Sequence, residues 1–304
     1  MHDSLNNLIS LAGNILLGKQ HQIKQALCCV LAGGHLLIED IPGVGKTTLS
    51  HTFAELLGLD FQRIQFTSDL FPADIIGATI FDAKNHEFKF HPGPIFNQMV
   101  LADEINRSTP KTQSALLEAM EEHQVTVDGN TLSLPNPFFV IATQNPNYQI
   151  GTFPLPESQL DRFLMSIQLG YPGRQAERSL LKGKDRQSLM KTLPVCLPPQ
   201  QLEQVQSRVF DVHASEPLLD YLQDIVDYSR HSTNYQLGLS PRAAQALLHA
   251  AKSWAFLDNR DAVFPEDIQQ ILPAVAGHRL RQTQSSTASA EDVVAPILEN
   301  VFIP

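Results

Sequence analysis

The sequence predicts an α/β protein: a parallel sheet with flanking helices, followed by a smaller all-helical C-terminal part. Three observations carry that prediction. First, the short apolar run His35 to Glu39 passes through a glycine-rich turn into a helical stretch from Lys46 to Leu57, the strand–turn–helix order that opens a parallel sheet. Second, two more short apolar runs, Met99 to Ala102 and Phe138 to Thr143, fit buried strands. Third, beyond Tyr171-Pro172-Gly173 the texture turns to short helical patterns, punctuated by Pro194, Pro198-Pro199, Pro217, Pro241, Pro265 and Pro273. The chain has 304 residues, about twice the ~150 typical of one domain. We place the boundary at that change of texture, giving an α/β domain over 1–172 and a helical domain over 173–304.

The elements follow in order. Leu5, Leu8, Ile9, Ala12, Ile15 and Leu16 fall on one helical stripe, so the chain opens with an amphipathic helix. Gly18 ends it, and a second helical run, Ile23 to Leu31, reaches Gly33-Gly34. After the strand at Met99, Thr109-Pro110 marks a helix start, because proline is tolerated at the first helical position. That helix runs through Leu116, Leu117 and Met120. From Val125 to Leu132, β-prone residues flank Asp128-Gly129, a strong hairpin signal. A second hairpin is expected over Thr79 to Phe90, turning near Asn85. The Ser/Thr/Gln-rich stretch from Gln282 to Ala290 reads as a loop.

Composition narrows the function. With 43% hydrophobic and 18% charged residues, wholesale disorder is excluded. Lys and Arg number 22 against 32 Asp and Glu, a net charge of −10. Such a chain lacks the broad positive field that drives non-specific nucleic-acid or anionic-membrane binding, so no nucleic-acid partner is expected. Cys28, Cys29 and Cys196 match neither a disulfide framework nor a zinc site, and a reducing compartment suits them. No apolar run approaches the ~18 residues of a membrane span. Met1-His2-Asp3-Ser4 lacks the positive region of a secretory signal. A cytoplasmic location is expected.

The most informative segment is Asp40-Ile41-Pro42-Gly43-Val44-Gly45-Lys46-Thr47-Thr48. It matches G-x-x-x-x-G-K-[ST], except that Asp40 stands at the first glycine. Backbone N–H groups of such a loop must face phosphate oxygens, and Gly43 and Gly45 allow that close approach. The helix that follows turns its positive end to the anion. Lys46 supplies a charge for the β- and γ-phosphates, and Thr47 a hydroxyl for Mg²⁺. Asp40 puts a carboxylate beside an anion; Asp tolerates left-handed backbone, and its side chain is expected to point away.

The strand at Val100 ends in Asp103-Glu104. A carboxylate there can hold a magnesium shell, and its neighbour can orient or deprotonate a water. Taken alone, the pair reads equally as solvated acid. Asn145, after the strand ending in Thr143, offers a neutral amide to an attacking water; in isolation it reads as the turn residue before Pro146. Arg107, Arg162 and Arg242 are each surface-like by themselves, yet an arginine that reaches a γ-phosphate stabilises transition-state charge. Arg162 is placed on a helix starting near Pro156. Arg242 is placed at the start of a helix capped by Ser240, with Pro241 in its first turn.

Taken together, these segments resemble an AAA+ ATPase, and within that superfamily the MoxR family. The resemblance lies in Gly33 to Glu39 leading into Pro42 to Thr47, in Leu101 to Arg107, in Lys111 to Glu122, in Ile141 to Pro146, and in Gly151 to Leu164. It is strongest over residues 33–173. It implies an α/β P-loop core with two hairpin insertions and a C-terminal helical lid, assembled as a ring, often a hexamer. It implies ATP and Mg²⁺, with Lys46 and Thr47 as the Walker A pair, Asp103 in the magnesium shell and Glu104 as the catalytic carboxylate. Asn145 matches sensor 1, Arg162 the arginine finger that enters a neighbour's site, and Arg242 sensor 2 on the lid, which in this branch serves either its own nucleotide or a neighbour's. Arg107 receives no role. The family implies chaperone-like remodelling of a protein partner, with a von Willebrand factor A domain protein as companion. Two other readings remain at this level: a nucleotide-gated scaffold with little hydrolysis, which Glu104 argues against, and a nucleic-acid motor, which the net charge argues against.

Overall fold

The computed structural model describes residues 2–145, 151–182, 189–190, 192–283 and 289–303. Helix α1 spans His2–Ile15 and buries Leu5, Leu8, Ala12 and Ile15, the stripe read from the sequence. Helix α2 spans Gln20–Leu31 and leads to strand β1, Leu36–Glu39, then helix α3, Lys46–Leu57. Strand β2 (Phe61–Gln65) and the one-turn helix α4 (Pro72–Ile76) precede the hairpin β3–β4, Gly77–Asp82 and Glu87–Pro92. Strand β5 (Met99–Asp103) and helix α5 (Pro110–Glu122) precede a second hairpin, β6 (Gln124–Val127) and β7 (Asn130–Ser133). Strand β8 (Phe139–Gln144), helix α6 (Glu157–Leu160) and strand β9 (Met165–Ile167) complete the α/β part.

Both expected hairpins are present. Asp128 and Gly129 both have positive φ, 50° and 80°, the backbone of a two-residue turn matched to strand twist. Thr79 pairs with Phe90, so the second hairpin has the expected extent.

The five-stranded sheet is wholly parallel, in the order β2-β5-β8-β1-β9. Its central strands alternate between two apolar clusters. Leu36, Ile38, Met99, Leu101, Phe139 and Ile141 enter one cluster, whereas Leu37, Val100, Ala102, Val140 and Ala142 enter the other. A period of two with both faces apolar is the pattern of a sheet covered on each side. Helices α1, α2 and α3 pack on the first face; α4 and α5 pack on the second.

After helix α7 (Arg174–Lys182) the chain is mostly helical: α8 (Pro199–Phe210), α9 (Glu216–His231), α10 (Pro241–Leu257), α11 (Pro265–Ala276) and α12 (Ala290–Asn300). Pro199, Pro241 and Pro265 each occupy a first helical position, where the missing N–H costs nothing. The first apolar cluster continues from α1–α3 into α8–α12, so the helical part shares a core with one face of the sheet. A short antiparallel ribbon, β10 (Tyr235–Leu237) with β11 (Arg281–Gln282), joins this part. The start of the Gln282–Ala290 stretch therefore pairs as a strand rather than looping; residues 284–288 lie outside the described residues. No helix among the described residues is long and apolar enough to cross a membrane.

The helix expected near Pro156 is a single turn. Arg162 lies beyond its end, because Leu164 N–H already donates to the His35 carbonyl at 2.9 Å as the chain straightens into β9.

Candidate active site

Parallel register brings three strand ends side by side. Glu39 at the end of β1 pairs with Gln144 of β8, Ala102 of β5 pairs with Ala142 of β8, and Asp103 pairs with Gln65 of β2. The chain leaves β1 for the far edge strand β2, returns through β5 to β8 beside β1 and then crosses to β9. The carboxyl ends of β1, β5 and β8 open onto one crevice, at the end of the sheet where α/β proteins bind ligands. The turn after β1, the acidic pair after β5 and Asn145 after β8 all emerge into it.

In the turn, Gly43 and Gly45 have φ of +85° and +105°, values that L side chains rarely adopt. A Cβ at Gly43 would meet nothing within 4 Å, so the turn is open at that point. Lys46 begins α3, its side chain buried and its Nζ donating to the Asp40 carbonyl and, at 3.1 Å, to Asn145 Oδ1. Burial lowers its pKa, and Asp40, Asp103 and Glu104 oppose that drop. Asp40 itself turns away from the loop interior. One carboxylate oxygen accepts from its own neighbour's amide, Ile41 N–H at 2.8 Å, and the other from Gly170 N–H. The departure from the glycine motif thus ties the loop to the end of the sheet.

The acidic pair is held from several sides. Thr143 Oγ1 donates to Asp103 Oδ1 at 2.6 Å and accepts from the Glu104 amide at 2.9 Å. Arg63 of β2 donates to Asp103 Oδ2 through Nε and Nη2, at 3.0 and 2.6 Å. Glu104 adopts a left-handed backbone, φ 57°, an uncommon conformation for a residue of its size and typical of functional sites. Its carboxylate accepts from Asn145 Nδ2 at 2.8 Å and from Gln65 Nε2 at 3.2 Å, and Arg107 Nε lies 3.0 Å away. A chain of contacts therefore runs from Lys46 through Asn145 to Glu104.

Lys46, Thr47, Asp103, Glu104 and Asn145 line one cavity of about 290 Å³ together with Pro42, Gly43 and Gly45. A larger cavity of about 630 Å³ adjoins it, shares Gly43, Gly45, Thr47 and Thr48, and is walled by Leu16, Lys19, Val44, His51 and Tyr171. The first is polar and fits phosphates; the second is more apolar and suits a base. Thr47 and Asp103 offer hard oxygen donors to the same space. No group of three or more His, Cys, Asp or Glu that could hold a metal ion occurs among the described residues. The two donors Thr47 and Asp103 suit Mg²⁺, which takes one or two protein oxygens and completes its shell with phosphate and water.

Arg162 and Arg242 line neither cavity. Both reach Glu121 instead: Arg162 Nε lies 3.0 Å from Oε2, and Arg242 Nη2 donates to Oε1. Arg242 follows Pro241 in the first turn of α10, where Ser240 Oγ accepts from Ala243 N–H at 3.0 Å as the expected cap. Arg63, Gln65 and Thr143 were not read from the sequence, and Arg107 gains a partner in Glu104. Pro146, read with Asn145, lies outside the described residues.

Comparison with known proteins sets this geometry in context. Residues 35–165 match the model of the ATPase family associated with various cellular activities (AAA), and residues 227–297 match the AAA lid domain. The chain is 43% identical to the uncharacterized protein YeaC of Bacillus subtilis over 307 residues, covering 100% of this chain and 96% of that one. It is 38% identical to Chaperone MoxR1 of Mycobacterium tuberculosis, covering 95% of this chain and 80% of the relative. The chain belongs to the MoxR family of AAA+ ATPases. A crystal structure from Cytophaga hutchinsonii, presented as a candidate ATPase, is 36% identical and superposes with a TM-score of 0.89, covering 100% of this chain and 96% of that one. The parallel sheet and helical C-terminal part are those of the AAA+ core and lid, and this MoxR-family chain is an ATPase.

Proposed function

We propose that this MoxR-family ATPase binds Mg²⁺ and ATP over the Gly43–Thr48 turn and cleaves the γ-phosphate only where two copies of the chain meet in a ring. The observation that carries this reading is a division of labour. Lys46, Thr47, Asp103, Glu104 and Asn145 surround one cavity, while Arg162 and Arg242 stand apart from it on Glu121.

Within the cavity, amides of the turn and the positive end of α3 cradle the phosphates. Lys46 neutralises the β- and γ-phosphates, releasing Asn145 Oδ1 as it does so. When bound, Mg²⁺ neutralises charge between the phosphates, and Thr47 and Asp103 would hold it. Glu104, aimed by Asn145, orients the attacking water and takes its proton; general-base assistance is worth roughly 10²–10⁴ in rate. Arg162 of an adjoining subunit supplies the remaining charge at the γ-phosphate, and Arg242 closes the lid side of the same interface.

A six-membered ring in the cytoplasm, each copy with its core over 1–172 and its lid over 173–304, coupled to chaperone-like remodelling of a protein partner, completes the reading. It draws on the relative named Chaperone MoxR1. The β3–β4 hairpin offers a contact surface for such a partner. Its Phe81 and Phe88 are exposed with ring centroids 5.2 Å apart, an apolar patch of the kind that marks contact surfaces. A von Willebrand factor A domain protein is the expected companion.

The test is a pair of variants followed by nucleotide binding and turnover. Lys46→Ala should lose ATP binding, and Glu104→Gln should bind ATP normally while turnover falls about 10²–10⁴-fold. Wild-type turnover in either would remove the assignment.

A further inference from the structure

The two arginines outside the phosphate cavity share a single carboxylate. Glu121 sits in the last turn of α5. Arg162 comes from the turn after α6, in the α/β core; Arg242 comes from the start of α10, in the lid. The adjacent acid, Asp161, does not compete for them. It accepts from Ser240 Oγ at 2.9 Å and from Arg279 Nε at 2.7 Å, fastening the backbone segments that carry the two arginines. Glu121 is therefore the group that gathers guanidiniums from two structural parts to one point.

The donor count leaves this cluster unsaturated. Two guanidiniums carry roughly ten N–H donors and two positive charges, whereas one carboxylate offers roughly four lone pairs and one negative charge. The side chains of Arg162 and Arg242 are 27% and 47% exposed, so the surplus donors reach solvent. Glu121 neutralises only one of the two guanidinium charges, which leaves donors on both arginines for a further anion.

We propose that Glu121 is a positioning residue that holds Arg162 and Arg242 as a preassembled pair, delivered together to the terminal phosphate of ATP on an adjoining subunit. The inference rests on Arg162 and Arg242 both acting at the subunit boundary, as proposed above, and adds the carboxylate that pairs them. Without the carboxylate, two like charges on flexible stems would repel and would lose rotamer freedom on meeting the phosphate. With it, both are set before the neighbour arrives, and lid and core move as one toward the shared site.

The experiment mixes two inactive variants. Glu104→Gln keeps the arginine edge but cannot turn over its own ATP; Arg162→Ala keeps its phosphate cavity but lacks the arginine. Turnover recovered in the mixture comes from sites shared between the two. Glu121→Gln is then added to one component at a time. In the Glu104→Gln donor it should cut recovered turnover about tenfold or more, through kcat with KM for ATP unchanged, a part of the roughly 10³–10⁵ that an arginine finger contributes. In the Arg162→Ala acceptor it should leave recovered turnover unchanged. Equal losses in both placements, or none in the donor, overturn the proposal while leaving the shared site standing. If the parent mixture recovers nothing, the shared-site reading fails first and the proposal with it. Glu121→Asp in the donor restores the charge on a shorter stem and should regain turnover over Glu121→Gln; no gain would also overturn the proposal.

Discussion

Acidification should weaken this fold through one buried imidazole, and the size of the effect follows from its surroundings. His35 precedes β1, the strand that delivers the phosphate turn, and is 5% exposed. Its Nδ1 accepts from the Val140 amide at 3.0 Å, which puts the ring proton on Nε2, 3.2 Å from the Met120 carbonyl. The neutral ring satisfies β8 on one side and α5 on the other. A proton on Nδ1 would face another N–H. Burial pushes the pKa from its ordinary 6.5 down to about 4; the Met120 carbonyl opposes the shift and nearby His123 adds to it. Below pH 6.5 the unfolded chain takes up a proton that the folded chain refuses, so stability present above that pH is lost progressively as pH falls toward about 4. At ~1.36 kcal/mol per pH unit, the loss attributable to His35 is about 3 kcal/mol. The assay is urea unfolding of the wild type and His35→Asn across this range. The variant starts less stable, and other titrating groups, including the buried His278, act on both proteins alike. Wild-type stability should decline by about 3 kcal/mol more than that of the variant. Parallel declines would refute the reasoning.

Two further predictions concern packing around the site. A Cβ built at Gly34 would lie 2.3 Å from Leu164 Cβ, so Gly34→Ala must push β9 away from β1 and should cost about 1–3 kcal/mol in urea unfolding; a neutral effect would mean the strands part easily. Arg279, whose side chain is 4% exposed, donates to Asp161 Oδ1 at 2.7 Å and to the Phe163 and Leu164 carbonyls at 2.6 and 3.1 Å. Arg279→Met removes that clamp and leaves Asp161 without its charge partner, with an expected loss of about 3–5 kcal/mol by the same measurement. A loss within the range of surface substitutions would show that the lid is held by apolar packing alone.

The parts of the site read from the sequence are those whose residue types admit few structural solutions. Gly43 and Gly45 stand where φ is strongly positive, Pro110 and Pro241 where a helix begins, and Asp128-Gly129 where a hairpin turns. The central strands were legible because both faces are apolar. Strand β2 was not, because only Ile64 of its five residues is buried, an edge-strand pattern that resembles a polar loop. With β2 went Arg63 and Gln65, which have meaning only once the register places them against Asp103 and Glu104. Strand β9 and the β10–β11 ribbon have three and two or three residues, too short for any period to show. The bridging role of Thr143 and the convergence of Arg162 and Arg242 on Glu121 depend on contacts between elements 40 to 121 positions apart, which no local pattern encodes.

The most direct measurement is ATP turnover per subunit as a function of assembly, with rate and molecular mass followed on the same samples across a dilution series. If the phosphate cavity of one copy is completed by Arg162 of the next, specific turnover should rise with the fraction assembled and collapse in the monomer. Arg162→Ala should then stay slow at every concentration while binding ATP normally. A strictly monomeric sample that hydrolyses ATP at the full rate of the assembled protein would contradict the account at its centre.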